Sequence, residues 1–253
     1  KEYRRQRQMC IRDRFLSALA DNALLIAAIA IVKSRGLPEL VPALQEFFVV
    51  PFIFLAPFVG VVADAWPKGR VMLISNSVKL VGAGLMMSGL HPLAAYAVVG
   101  VGAAAYSPAK YGILAQMFDP ANLVKANGML EGSTIAAILL GVVAGGLLAD
   151  RSLDMAFTVI LGCYAVAAAA NLLIPGLPPE KPLGAIQPLA LIVAFGRELA
   201  ALFRIPDARF SLLGTSMFWG SGTTLRLMLF AWVPVALGYT DNQTPANLMG
   251  AVS

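Results

Sequence analysis

The stretch VPALQEFFVVPFIFLAPFVGVVADA, residues 41–65, carries only one charged side chain, Glu46, before Asp64. At a rise of about 1.5 Å per residue, a helix of this length spans the roughly 30 Å hydrocarbon core of a bilayer. Apolar blocks of similar length recur on both sides of it, and the chain is 58% hydrophobic and 13% charged. Soluble domains carry about 25% charged residues, and the mean hydropathy here is +0.76. The pattern predicts an all-α polytopic membrane protein.

Working outward from this block, the sequence predicts six further membrane spans and the start of an eighth near Asn247. The further spans cover residues 14–32, 71–90, 93–114, 127–149, 156–174 and 210–237. If the N-terminus is cytoplasmic, seven basic side chains fall in inner loops and three in outer loops. The inner set is Lys68, Arg70, Lys125, Lys181, Arg197, Arg204 and Arg209, and the outer set is Lys33, Arg35 and Arg151. This excess favours a cytoplasmic N-terminus.

The domain organisation follows from composition. Residues 1–13, KEYRRQRQMCIRD, supply +3 of the net charge of +5 and differ from all that follows. We interpret them as a non-native or disordered tail, or alternatively as a basic cytoplasmic tail, so the charge predicts no nucleic-acid partner. Residues 14–176 form a predicted six-helix bundle. Residues 177–209 form a cytoplasmic linker, and residues 210–253 hold the seventh helix and the start of the eighth, so most of a second bundle is expected to be missing.

The linker contains its own predicted helix. It opens with the turn-forming residues PGLPPEKP and continues as IQPLALIVAFGRELAALFR, which is apolar with interspersed charges. We interpret the second part as an amphipathic helix lying on the cytoplasmic membrane surface, and a short extra span is the alternative. The two cysteines, Cys10 and Cys163, predict neither a disulfide framework nor a metal site, and no cofactor is expected.

A short pattern repeats along the chain. The second span ends in Gly60-Val-Val-Ala-Asp64, and the fifth ends in Gly146-Leu-Leu-Ala-Asp150. Because an odd number of spans separates the copies, they face opposite sides of the membrane, as in an inverted-topology repeat of the major facilitator superfamily. The first copy continues to Lys68 and Arg70, and Gly60, Asp64, Lys68 and Arg70 together resemble the cytoplasmic loop motif of that superfamily, which gates the transporter. Trp66-Pro67 departs from the usual pattern.

Besides Glu46, near the outer end of the second span, five charged side chains fall inside the spans, where each costs at least about 2.5–3.5 kcal/mol at the bilayer centre. They are Asp21, Lys79, Lys110, Glu131 and Arg226. The first four share the inner half of the membrane, and they predict a switchable charge network or, alternatively, a structural set of ion pairs. Arg226 lies toward the outer side, where a guanidinium suits an anionic phosphate. Snorkelling to the outer interface is the alternative for Arg226.

Two glycine-rich patterns have a simpler interpretation. Gly100-Val-Gly-Ala-Ala-Ala105 mimics a dinucleotide-binding fingerprint, but it lies inside a predicted span rather than after a strand. Gly141-x-x-x-Gly145-Gly146 lies in the fifth span, where small residues allow helices to approach closely. Both patterns therefore predict helix packing. The sequence contains no Walker A motif, which argues against an ATP-driven pump within it.

Longer blocks resemble the bacterial lysophospholipid transporter family. The blocks are FLSALADNALL at 15–25, VVGVGAAAYSPAKYGIL at 98–114, LVKANG at 123–128, STIAAILLG at 133–141, RFSLLGTSMFWGSGTTLR at 209–226, WVPVALG at 232–238 and TDN at 240–242. The resemblance covers nearly all of the chain after residue 14, apart from residues 177–198 of the linker. It places Asn22, beside Asp21 in the first block, among the candidate site residues.

The resemblance implies a twelve-helix facilitator in the bacterial inner membrane. Such a protein moves lysophospholipids, for example lysophosphatidylethanolamine, from the outer to the inner leaflet, where a partner acyltransferase and acyl-carrier-protein synthetase re-acylates them. No enzymatic activity is expected of this chain. Two alternatives remain: a facilitator for another amphiphile or drug, and the transport domain of a fused acyltransferase.

Overall fold

The structure is a computed structural model that describes residues 2–117, 120–174, 178–179, 187–238 and 241–251. Side chains are described from Asp13 onward within those ranges, except for those of residues 115, 117, 120–122, 226–227, 230–231 and 250–251. No strand occurs in the described ranges. The helices there are α1 (Glu2–Ser34), α2 (Val41–Ala65), α3 (Lys68–Met87), α4 (Pro92–Met117), α5 (Pro120–Arg151), α6 (Leu153–Asn171), α7 (Pro188–Arg204), α8 (Pro206–Leu237) and α9 (Gln243–Ala251), with a short 3₁₀ turn at Pro38–Leu40.

Six of the predicted spans are confirmed. Within the described residues, six helical segments are long and apolar enough to cross a membrane. They are Asp13–Ser34, Pro38–Ala65, Lys68–Met87, Pro92–Leu114, Leu123–Arg151 and Leu153–Asn171. The third span begins three residues before its predicted start because Pro67, just before Lys68, breaks the helical path from α2. It ends before Gly89, which adopts a φ of 98° that favours glycine.

The later predicted helices also correspond to helices in the structure. The seventh predicted span falls on α8, which begins at Pro206, four residues before the predicted start. The eighth begins at Gln243, also four residues early. The predicted linker helix is α7, and its large apolar side chains, such as Phe195, are exposed to the surroundings of the protein.

The tail assignment differs from the structure at its boundary. Helix α1 runs without a break from Glu2 into the first span. Asp13, the last residue of the predicted tail, is fully buried, and it accepts hydrogen bonds from Tyr106 and Asn76. Asp13 therefore lies inside the packed protein, on the same face of α1 as Ser17, which is buried one turn later, and Asp21, which follows two turns later.

Helices α1 to α6 form one bundle. Helix α1 packs against α5 and α6, while α4 packs against α2 and α3, and α3 also packs on α6. Glycines bring the helices together: a Cβ built at Gly100 would lie 2.4 Å from the carbonyl oxygen of Phe48, and one at Gly141 would lie 2.5 Å from that of Leu19. The prediction that both glycine patterns serve helix packing is confirmed.

The bundle has two ends, which we name after residues that mark them. The Lys68 end holds the α2–α3 connection, and Gly69 there lies against Ile174 after α6. The Asp150 end holds the last turns of α1 and α5 and the start of α9. The two copies of the repeated pattern thus lie at opposite ends of the bundle, as the sequence predicts.

Candidate functional site

A cavity of about 420 Å³ lies between the bundle and helices α8 and α9. Helix α1 supplies one wall through side chains spaced three or four residues apart, which share one helix face. The residues that line the cavity include Ser17, Asp21, Asn22, Leu25 and Ile29 of α1, Phe48 and Phe52 of α2, Lys79 of α3, Tyr96, Tyr106 and Lys110 of α4, Thr134 and Ile138 of α5, and Trp219 and Thr223 of α8. The lining is polar near Asp21 and apolar near Ile29, so the cavity is amphiphilic.

Two helices, α3 and α6, supply partners to the carboxylate of Asp21 on α1. The Lys79 ammonium of α3 lies 2.8 Å from Oδ2 of Asp21. The hydroxyl of Tyr164, from α6, donates a hydrogen bond of 2.7 Å to Oδ1. Both carboxylate oxygens therefore have a partner. The contacts join α1 to α3 and to α6, so the charged pair is part of the bundle's packing as well as of the cavity wall.

The environment of Lys79 compensates for its burial. Lys79 is 1% exposed, and beside the Asp21 bond it donates to Oγ of Ser17 at 3.0 Å. Its ammonium lies 4.8 Å from the ring centroid of Tyr106 and 5.9 Å from that of Tyr164. Aromatic faces attract cations within about 6 Å. A lysine that is removed from water in this way requires such partners to remain charged.

Lys110 and Glu131 form a second pair closer to the Lys68 end. The Lys110 ammonium lies 4.0 Å from Oε1 of Glu131, and the side chains are 15% and 41% exposed. The hydroxyl of Tyr111 donates to the same oxygen at 3.0 Å, and the Lys110 ammonium lies 4.9 Å from the Tyr111 ring centroid. Lys110 lines the cavity, whereas Glu131 does not contribute to its lining. The four predicted inner charges are thus brought together as two separate pairs.

Two further predicted residues have different outcomes. Asn22 lines the cavity one position after Asp21, and its Nδ2 donates to the carbonyl of Ala18 at 2.8 Å. Arg226 lies within α8, but its side chain is outside the described residues. The phosphate-binding role of Arg226 therefore stays a prediction.

The loop motif forms a compact unit at the Lys68 end. The Lys68 ammonium lies 3.1 Å from Oδ1 of Asp64, one helical turn earlier in sequence, and it also donates to the carbonyl of Ala63. Lys68 is 2% exposed. Arg70 is exposed, and no atom lies within 4 Å of a Cβ built at Gly60 among the described residues. The motif's acid is therefore paired with its own lysine.

Sequence reasoning missed the aromatic and hydroxyl partners of the buried pair. Ser17 lies one helical turn before Asp21, so it shares the same face of α1, and this spacing could have identified it. Tyr106 and Tyr164 carry hydroxyls inside apolar spans, where a buried hydroxyl requires a partner. Which acid Tyr164 would reach depends on the packing of α6 against α1, and a single sequence does not specify that packing.

Comparisons with known proteins agree with this architecture. The sequence profile of the Major Facilitator Superfamily matches residues 14–253. Proteins named lysophospholipid transporter LplT from Serratia proteamaculans (strain 568) and from Yersinia enterocolitica are each 52% identical to this chain over 240 residues, or 94% of it. The chain spans 60% of the length of the first relative and 59% of the second. The matches confirm the resemblance found in the sequence, and the chain belongs to the Major Facilitator Superfamily, whose members are multi-pass membrane transporters.

Proposed function

We propose that this protein moves lysophospholipids, such as lysophosphatidylethanolamine, from the outer to the inner leaflet of the bacterial inner membrane by alternating access. The observation that carries the proposal is the amphiphilic cavity, taken together with the relatives named lysophospholipid transporter, which are 52% identical. A lysophospholipid has one acyl chain and a charged phosphodiester headgroup. A ligand of that kind needs charged and apolar walls in the same cavity.

The arrangement of the lining supports this substrate class. The face of α1 changes along its length from Asp21 to Leu25 and Ile29, and Phe48 and Phe52 add further apolar surface. Lys110 supplies a cation at the polar end, and we propose that Arg226 supplies another through its guanidinium. The cations would bind the phosphate, while the apolar wall would accept the acyl chain.

The orientation in the membrane is part of the proposal. The excess of Lys and Arg at the Lys68 end supports a cytoplasmic position for that end and for the N-terminus. Helix α7 then lies at the cytoplasmic surface, where its exposed apolar side chains would enter the interface and Arg197 and Arg204 would face lipid headgroups. The Asp64–Lys68 pair, with Gly60 and Arg70, would gate the cytoplasmic side.

The partner and the chemistry follow from the substrate. A lysophospholipid that reaches the inner leaflet lacks one acyl chain, so an acyltransferase and acyl-carrier-protein synthetase on the cytoplasmic side would consume it. We propose that this protein supplies that substrate and carries out no reaction of its own, in line with relatives that are named as transporters.

Uptake of labelled lysophosphatidylethanolamine by spheroplasts that express the full-length protein tests the proposal. The Asp21→Asn variant should lose most uptake because the Lys79 cation then lacks its carboxylate partner. The Arg226→Ala variant should also lose uptake. Glu46→Gln, which changes an exposed acid outside the cavity lining, should retain it.

Two results would contradict the proposal. Uptake equal to that of empty spheroplasts, with export of a drug or another amphiphile intact, would replace the substrate class. Unchanged uptake in Arg226→Ala would remove that residue from phosphate binding. Immunoblots of membrane fractions distinguish either result from failed insertion. Repeating the assay with the proton gradient and the membrane potential collapsed in turn identifies the driving force.

A further inference from the structure

The second copy of the repeated pattern bonds directly to the segment that follows the linker. Asp150, at the end of α5, accepts hydrogen bonds from the backbone amides of Asn242 and Gln243, each at 2.9 Å. The side-chain amide of Asn242 also donates to Asp150 at 2.9 Å. Both carboxylate oxygens are used, and these three donors belong to the first residue of α9 and the residue just before it.

A carboxylate is stabilised when it lies next to the start of a helix. The first amides of a helix lack intrahelical partners, and the helix dipole places partial positive charge there. Asp241, two residues before α9, caps the helix from its own segment. Its Oδ2 accepts a hydrogen bond of 2.6 Å from the backbone amide of Thr244. This hydrogen bonding holds the pKa of Asp241 below its usual range. Asp150 differs from Asp241 in that it reaches the helix start from another bundle.

Glycine packing adds to the same contact. Gly146 lies one turn before Asp150, and a Cβ built on it would be 3.0 Å from Cα of Gln243 and 3.0 Å from Cβ of Ala246. Ala246 is fully buried. The backbone of α5 therefore lies directly against α9. A Cβ at position 146 would be closer to α9 than ordinary van der Waals contact allows, so α9 would have to shift by a few tenths of an ångström to accept it.

The surrounding charges fit this arrangement. The Lys33 ammonium, at the end of α1, interacts electrostatically with both Asp150 and Asp241. Arg151 is exposed at the same end. The hydrogen bonds of Asp150 are themselves exposed to solvent, so water can replace them when the helices separate. A contact of this kind can form and break at modest cost.

We infer that Asp150 is a positioning residue for transport, which closes the Asp150 end by capping α9 and releases α9 when that end opens. The inference rests on the proposed alternating-access function, since it assigns one of the two closures of that cycle. The first copy of the pattern makes no equivalent contact among the described residues. In the inverted repeat, Asp150 of the second copy thus bonds to the start of α9, outside the α1–α6 bundle. Asp64 of the first copy is paired with Lys68, four residues later in the same segment.

Electron spin resonance distances in the full-length protein test this inference. Spin labels at Met155→Cys and Leu237→Cys, both exposed at the Asp150 end on either side of the contact, report its opening, with Cys10 and Cys163 replaced by serine. Loss of one charge-assisted hydrogen bond changes an equilibrium by about tenfold or more. In Asp150→Asn, the ratio of short-distance to long-distance populations should fall by about that factor.

A second substitution keeps the test valid if Asp150→Asn folds poorly. Gly146→Ala should produce the same shift by steric separation. Gly128→Ala is the matched control, because it lies on α5 with no atom within 4 Å of the added Cβ. Asp154→Asn is the control for the loss of an exposed acid near the same end. Neither control should move the distribution.

Unchanged distances in both Asp150→Asn and Gly146→Ala overturn the inference, as do equal shifts in the controls. Labelled lysophospholipid uptake in the same preparations tests the proposed function separately. If the distances shift in the variants but the unsubstituted protein takes up no lysophospholipid, the role of Asp150 in closure is supported and the proposed substrate is refuted. Uptake without a distance shift in either variant supports the substrate and refutes the closure.

Discussion

The Asp21–Lys79 and Lys110–Glu131 ion pairs contain the same chemical groups but differ in their surroundings. In each, a carboxylate accepts a hydrogen bond from a tyrosine hydroxyl and lies beside a lysine ammonium. The Asp21–Lys79 pair is 2.8 Å apart, and Lys79 is fully buried. The Lys110–Glu131 pair is 4.0 Å apart, and the Glu131 side chain is 41% exposed.

This difference in burial determines what each pair can contribute. A charge in a dry site depends on its partner, so removing one member leaves an uncompensated charge. In the Lys110–Glu131 pair the Glu131 side chain is 41% exposed, so solvent partly screens the pair and less is lost when Glu131 is neutralised. We therefore assign the Asp21–Lys79 pair to the stability of the bundle as well as to the cavity. The Lys110–Glu131 pair is free to rearrange, which suits a cation that binds and releases an anionic headgroup.

Replacing Lys79 by methionine should have the largest effect. Methionine retains much of the stem volume, but the Asp21 carboxylate then keeps the Tyr164 hydroxyl as a donor and loses the ammonium. Breaking a buried pair costs about 3–5 kcal/mol. The free energy of unfolding in mixed detergent micelles should fall by that order, and lysophospholipid uptake should be lost.

A double variant separates the lost pair from damage to packing. Asp21→Asn combined with Lys79→Met removes both charges of the pair, so neither position is left with an uncompensated charge. The double variant should recover most of the stability lost in Lys79→Met while remaining inactive in uptake. Equal instability in the single and double variants would contradict the assignment.

The membrane spans and the placement of the repeated pattern could be predicted from the sequence, whereas the partners within the two ion pairs could not. Six spans and the inverse placement of Gly60–Asp64 and Gly146–Asp150 follow from apolar block length and from the odd number of spans between the copies. These properties depend on the bilayer thickness and on chain direction alone. They need no knowledge of which helices are neighbours.

The pairing of the charges depends on neighbours and was beyond the sequence. Depth along each span places Asp21, Lys79, Lys110 and Glu131 in one half of the membrane. Whether Lys79 meets Asp21 or Glu131 depends on helix order around the bundle, where α1 packs on α6 and α3 also packs on α6. For the same reason Tyr164, which completes the Asp21 site from α6, gave no sequence signal of its partner.

Replacing Tyr164 by phenylalanine should have an intermediate effect. The substitution removes one hydroxyl and leaves the ring that faces the Lys79 ammonium. A hydrogen bond inside a membrane protein contributes about 0.6 kcal/mol and up to about 1.7 kcal/mol, and its carboxylate acceptor favours the upper part of that range. The free energy of unfolding should fall by about 1–2 kcal/mol.

Tyr96→Phe is the matched control for Tyr164→Phe. Tyr96 lines the same cavity, and its ring stacks on Phe48 with centroids 5.0 Å apart. Within the described residues the donors to Asp21 are Lys79 and Tyr164, not the Tyr96 hydroxyl. It should lose less stability than Tyr164→Phe. A larger loss in the control would mean that the Tyr164 hydroxyl adds nothing specific to the buried pair.

Replacing Glu131 by glutamine should have the smallest effect on stability. Glutamine keeps an acceptor for the Tyr111 hydroxyl, and a pair as exposed as Lys110–Glu131 contributes only about 0–1 kcal/mol. The same unfolding titration should therefore change by less than about 1 kcal/mol. Because Lys110 lines the cavity, we expect its release from Glu131 to alter the lysophospholipid concentration that gives half-maximal uptake. A loss of stability as large as that of Lys79→Met would show that burial does not distinguish the two pairs, and the comparison would fail.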